Sequence, residues 1–274
     1  MMQFPHQPRH AFEPASPETT EPALPETELH VWQTRLDLPT TRIEALRKTL
    51  DRDERARAAC FRFPEHQRRF IVARGILRAL LARYRRTQPE DIAFAYNRYG
   101  KPFLKEEIGD YRAGDYRESD PIHFNLSHSG EMALYAFARR KVGIDVEWTK
   151  RRVGDREQIA NRFFSPREAA ILSRLPDASK NHAFFTCWTR KEAYVKARGK
   201  GLSIPLDGFE VLSMPEGRAP GVGFQLPSTL DDTPPPNHNE ARAIWTIRTF
   251  IPDTDYLAAL VVEGTVEIKY RRLD

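Results

Sequence analysis

Cysteine is scarce: two residues in 274, Cys60 and Cys187, far apart and without a CxxC partner. That excludes a disulfide framework and a thiolate zinc site, and it fits a reducing, cytoplasmic setting. No run of about 18 apolar residues occurs, so no membrane-spanning helix is expected. The first residues carry no basic start followed by an apolar stretch, so no signal peptide is expected either. A GxSxG nucleophile elbow is missing, as are helix-turn-helix, zinc-finger and RNP signatures.

Charge is plentiful but weakly biased. The chain has 43 Lys+Arg against 38 Asp+Glu, a net +5, with 30% charged residues. The isoelectric point is near 9.2 and the mean hydropathy −0.60. A mild basic excess points to an anionic partner: nucleic acid, a phosphorylated small molecule or an acidic protein. A chain of 274 residues fits one large domain or about two smaller ones. It is long enough to bury a core without a metal or disulfide staple.

Residues 1–28 alternate proline with glutamate and are expected to form a disordered tail, because little apolar surface offsets the entropy of ordering them. A second Pro-rich break, 213–239, reads as a loop within a domain. Between and beyond these breaks the periodicity alternates. His30 to Leu36 reads as an opening strand, Arg42 to Phe61 has helical spacing, and Glu65 to Arg85 is a stronger helix. Ile122, Phe124 and Leu126 alternate with His123, Asn125 and Ser127 as in a strand; two more strands cover Met132 to Ala138 and Lys141 to Glu147. Ser165-Pro-Arg-Glu168 is a capping box that starts a helix, Asn181 can cap the next, and Gly199 should end it. Leu257 to Val262 and Val266 to Tyr270 can close the chain as a hairpin. The fold class is therefore α+β.

Val142-Gly-Ile-Asp-Val-Glu147 is the sharpest local feature. On a strand, Gly143, Asp145 and Glu147 share one face, with the two carboxylates ~6.6–6.8 Å apart along it. Two anions on one face repel unless a hard cation lies between them or water solvates both. Downstream, Phe184, Trp188, Glu192 and Lys196 are spaced by four and form one helix stripe. Its aromatics imply burial, and a buried glutamate must be paired or bind a metal; an i,i+4 pair with Lys196 is the alternative. Phe124-Asn-Leu-Ser-His-Ser-Gly130 runs from strand to turn, with Ser127 and His128 able to meet a phosphate. A Ser–His hydrolase pair is disfavoured, because adjacent strand residues point to opposite faces. Arg68, Arg69, Arg74 and Arg78 on the Glu65–Arg85 helix suit phosphates or a solvated face.

Taken in order these blocks resemble the 4′-phosphopantetheinyl transferases: Val142-Gly-Ile-Asp-Val-Glu147, then Trp188-Thr-Arg-Lys-Glu-Ala-Tyr-Val-Lys196. Gly100-Lys-Pro102, Phe124-Asn-Leu-Ser-His-Ser129, Arg162-Phe-Phe-Ser165 and Gly199-Lys-Gly-Leu-Ser-Ile-Pro-Leu206 flank them. Over Leu29 to Tyr270 the chain is similar to the larger, single-chain Sfp type. The resemblance implies two similar α+β halves related by a pseudo-two-fold axis, here 29–140 and 141–274, acting as a monomer. It implies transfer of the phosphopantetheine arm of coenzyme A to a serine of an apo acyl or peptidyl carrier protein, with release of 3′,5′-ADP.

Asp145, Glu147 and Glu192 are the implied Mg²⁺ ligands, and Glu192, or water polarised by the metal, the implied base. Lys196, and more loosely Lys191, would meet phosphate. Ser127, His128 and Lys101 match coenzyme A-binding positions, with Arg69 and Arg74 as partners of the 3′-phosphate. Two other readings compete: a Mg²⁺-dependent diphosphate hydrolase using the same carboxylates, and a nucleic-acid-binding module suggested only by charge. Neither nucleic acid nor membrane is an expected partner.

Overall fold

The computed structural model describes residues 12–14, 23–105, 121–151, 153–212, 224–225 and 244–273. In chain order the elements are β1 (Glu13–Pro14), β2 (Glu28–Arg35), α1 (Thr40–Thr49), α2 (Arg52–Ala59), α3 (Pro64–Arg85), β3 (Phe94–Tyr96), β4 (Pro102–Leu104), β5 (His123–Ser129), β6 (Met132–Ala138), β7 (Val142–Trp148), α4 (Arg156–Phe163), α5 (Pro166–Arg174), α6 (Asp177–Arg198), β8 (Phe224–Gln225), β9 (Ile244–Phe250), β10 (Tyr256–Glu263) and β11 (Glu267–Arg272). They form a five-stranded sheet ordered β1-β11-β2-β6-β5, a four-stranded sheet ordered β7-β10-β9-β8, and a β3–β4 ribbon. The α+β class is as expected.

The sheets stack face to face with a helix on each outer side. Along β6, Ala133, Tyr135 and Phe137 pack with Val72, Ile76 and Leu80 of α3. The alternate residues Met132, Leu134, Ala136 and Ala138 meet Ala258, Leu260 and Val262 of β10 and Val142, Ile144 and Val146 of β7. On the far face of β10, Leu257, Ala259 and Val261 pack with Phe185, Ala193 and Ala197 of α6. β6 and β10 are thus buried on both faces, which is why they read as continuous apolar runs. The two covering helices, α3 and α6, are each 22 residues long.

Four local expectations change. The Arg42–Phe61 helix is broken: Leu50 is extended and Asp51 caps a second helix, α2, through a capping box with Glu54. α6 begins at Asp177 behind Pro176, so Asn181 lies inside it and its side chain donates to the Thr149 carbonyl at 3.3 Å. The closing hairpin does not form. β10 already has β7 and β9 on its edges, so β11 crosses to the other sheet and runs parallel to β2, from Glu267 opposite Glu28 to Arg272 opposite Gln33. Part of the expected tail is ordered: β1 pairs with β11, Phe12 packs on Phe250 and Tyr270, and Leu24 is buried over the α3 core. The rest of 1–22, and 213–239 apart from β8, lie outside the described residues.

Candidate active site

A glycine sets the distance between β7 and α6. A Cβ at Gly143 would stand 2.0 Å from the Ala193 carbonyl oxygen and 2.3 Å from the Ala197 nitrogen. With no side chain there, the helix lies against the strand, and Glu192 and Lys196 come level with Asp145. Gly199, at φ +66° in the left-handed region, ends the helix just beyond.

Asp145 and Glu147 of β7 lie along this seam, and Asp145 acts electrostatically on both Glu147 and Glu192. Asp145 and Glu147 are both buried. Asp145 Oδ1 accepts from Lys196 Nζ at 2.6 Å and from Ser127 Oγ at 2.9 Å, while its buried Oδ2 has no partner. Glu147 accepts from Ser129 Oγ at 3.0 Å and from Arg151 at 3.0 Å. Burial first, and then the Asp145 charge, push the Glu147 pKa up to about 7 against the opposing pull of Arg151. The same two causes, in the same order, raise Glu192. Asp145 thus repels both glutamates, the three carboxylates share two side-chain cations, and one desolvated oxygen of Asp145 is left over. Among the described residues no three His, Cys, Asp or Glu side chains already stand as a metal cage. The donor set nonetheless fits a hard divalent cation: all oxygen, net anionic, with an unfilled acceptor.

A cavity of about 260 Å³ opens beside Glu192 and Lys196, walled by Tyr99, Gly100, Lys101, Pro102, Asn125 and Gly199. Lys101 donates to the carbonyls of Lys196 (2.6 Å), Val142 (3.1 Å) and Ala197 (3.3 Å). It therefore satisfies carbonyls left open at the end of α6 and sits at the negative end of the helix dipole. Burial and Lys141 push its pKa down to about 8. Three carbonyl acceptors for its three protons keep it an ammonium at neutral pH. His128 is on the opposite face of β5 from Ser127; desolvation, Lys196 and Arg69, in that order, hold its pKa below the usual histidine range. Arg69 is paired with Glu131 at 2.7 Å and with Glu65.

Of the expected coenzyme A contacts, Lys101 and Lys196 line the cavity; Arg69, Ser127 and His128 lie outside its lining, and Arg74 and Lys191 are buried among other partners. Arg74 is buried, ion-paired to Glu54, donating to Tyr96 Oη at 2.7 Å and lying 4.0 Å over the Phe94 ring. Lys191, on α6, is wholly buried, on Glu168 at 2.8 Å and the Leu206 carbonyl at 2.6 Å. Neither lines the cavity. The helical spacing is compatible with both destinations, because partners such as Glu54 and Glu168 lie on other elements.

The fold and this site define a class. A family model described as the 4′-phosphopantetheinyl transferase superfamily matches residues 141–247, and one described as 4′-phosphopantetheinyl transferase, N-terminal, matches residues 39–139. The chain belongs to the 4′-phosphopantetheinyl transferase superfamily and is of the Sfp-like type. Among its relatives, 4′-phosphopantetheinyl transferase HetI of Nostoc sp. (strain PCC 7120) is 38% identical over 257 residues, 93% of this chain and 95% of that one. 4′-Phosphopantetheinyl transferase Sfp of Bacillus subtilis is 33% identical over 175 residues, 63% of this chain and 70% of that one. 4′-Phosphopantetheinyl transferase gsp of Aneurinibacillus migulanus is 34% identical over 142 residues, 52% of each chain. Among the described residues no helix is long and apolar enough to cross a membrane.

Proposed function

We propose that this chain transfers the 4′-phosphopantetheine arm of coenzyme A to a serine hydroxyl of an apo acyl or peptidyl carrier protein. It releases 3′,5′-ADP, requires Mg²⁺ and works as a cytoplasmic monomer. The observation that supports this reading is that Glu192 and Lys196 line one cavity while Lys196 pairs with Asp145, whose charge also acts on Glu147 and Glu192, in a chain of this superfamily.

The reaction joins the serine oxygen to the phosphorus bearing pantetheine and breaks that phosphorus's bond to the bridging oxygen, which leaves with 3′,5′-ADP. Asp145, Glu147 and Glu192 would hold Mg²⁺. The bound ion supplies positive charge to the diphosphate and to the leaving group. Glu192, at the edge of the cavity, is placed to take the serine proton. Lys196 already reaches Asp145 and Ser127, and can donate instead to a diphosphate oxygen in the cavity. Ser127 and His128 meet the phosphate end of coenzyme A, with Arg69 turning from Glu131 to the 3′-phosphate. Lys101 fixes the Gly100–Pro102 wall where the adenine nucleotide lies.

The test is release of 3′,5′-ADP from coenzyme A, followed by chromatography with and without an apo carrier. Release that needs carrier and stops with a chelator is expected. Metal-dependent release at the same rate without carrier would make the chain a diphosphate hydrolase and overturn the reading.

A further inference from the structure

β5 and β7 are edge strands of different sheets, so each leaves one row of backbone groups without a ladder partner. On β7, three N–H groups of this open row are satisfied by side chains of β5. Asn125 Oδ1 accepts from the Ile144 N–H at 2.8 Å, Ser127 Oγ from Val146 at 3.3 Å, and Ser129 Oγ from Trp148 at 3.0 Å. Each pair is 19 residues apart, so the strands run in the same direction and alternate residues of β5 act as rungs.

The rungs differ in what they leave over. A serine hydroxyl that accepts from a backbone N–H still has its own proton to give. Ser127 gives it to Asp145 Oδ1 at 2.9 Å and Ser129 gives it to Glu147 Oε2 at 3.0 Å. Asn125 forms a rung but touches neither carboxylate. Ser129 is buried, and its position is fixed from behind by the strand it serves.

We infer that Ser129 is a positioning residue for Glu147: its hydroxyl, held by the Trp148 N–H, fixes which way the carboxylate faces and so prepares it to bind a divalent cation. Ser127 does the same for Asp145, while Asn125 joins the sheets and walls the cavity but holds no carboxylate. Partners of this kind, one bond behind the ligands, typically change metal affinity 10–100-fold. The inference rests on the cation-binding role proposed above for Glu147.

The test measures Mn²⁺ affinity of the full chain by electron paramagnetic resonance, together with Tm, for the parent, Ser129→Ala, Ser129→Thr and Asn125→Ala. Ser129→Ala and Asn125→Ala each lose one acceptor for a β7 N–H and should lower Tm alike. Only Ser129→Ala should weaken Mn²⁺, by about tenfold, with Ser129→Thr within about threefold of the parent. Ser129→Ala binding like the parent, Ser129→Thr as weak as Ser129→Ala, or equal losses in Ser129→Ala and Asn125→Ala would overturn the inference alone. Failure of the parent itself to bind Mn²⁺ would instead overturn the cation role of Glu147, and the inference with it.

Discussion

α3 and α6 have the same length and cover opposite sheets, yet they use their charges differently. On α3, Arg74 and Arg78 are turned inward and closed off: both pair with buried Glu54, and Arg78 also reaches Asp51 at 2.7 Å and the Ile92 carbonyl at 2.7 Å. On α6, Glu192 and Lys196 border a cavity, and the carboxylate they face keeps a buried oxygen without a partner. A closed buried cluster holds a fold together, because removing one member leaves a desolvated charge. An open one is incomplete until a ligand arrives, so its members should matter to activity more than to stability.

That contrast can be broken at several points. The largest effect is expected in the open cluster: Asp145→Ala or Glu192→Ala should cut phosphopantetheine transfer by on the order of 10³-fold. Circular dichroism should stay that of the parent. Full activity in either variant would remove the carboxylate from the site. In the closed cluster the effect should move to stability. Glu54→Ala removes the carboxylate that two buried guanidiniums share, so a loss of about 3–5 kcal/mol is expected in denaturant titrations; a loss below about 1 kcal/mol would contradict the closed reading.

A pH experiment sharpens the same comparison. The folded-state pKa of Glu147, about 7, lies above its ordinary 4.5. The folded chain therefore binds more protons than the unfolded one between those values, and stability falls as pH rises through that window. Metal-free parent should lose up to about 3 kcal/mol relative to Glu147→Gln between pH 4.5 and 8. Parallel stability curves for the two proteins would refute it. The smallest effect is expected from Arg151→Ala. This half-exposed partner of Glu147 should change stability by about 0.5 kcal/mol or less, and a loss above about 2 kcal/mol would show that the site is closed after all.

Much of the open cluster was legible in the sequence because local periodicity encodes it. Asp145 and Glu147 share a face by the strand's period of two, and Glu192 and Lys196 continue an aromatic stripe by the helix's spacing of four. Gly143 makes sense only once α6 lies against β7, which no local pattern states. The closed clusters were not legible, since Arg74 and Lys191 are claimed by Glu54 and Glu168 from other elements. Strand patterns likewise announced β10 and β11 but not their partners. Pairing depends on which edges remain free, and β10 had none. Asn125 and Ser127 did show their alternation, which Ser129 continues; what the three satisfy, the open edge of β7, became visible only in three dimensions.

The central claim is that the open cluster serves transfer to a protein serine. The most direct measurement is intact-mass spectrometry of a panel of apo carrier proteins incubated with this chain, coenzyme A and Mg²⁺. At least one carrier should gain the mass of a single phosphopantetheine on its serine, and none should after chelation or with Asp145→Ala. Unmodified carriers throughout the panel, with active Sfp of Bacillus subtilis modifying them in parallel, would contradict it.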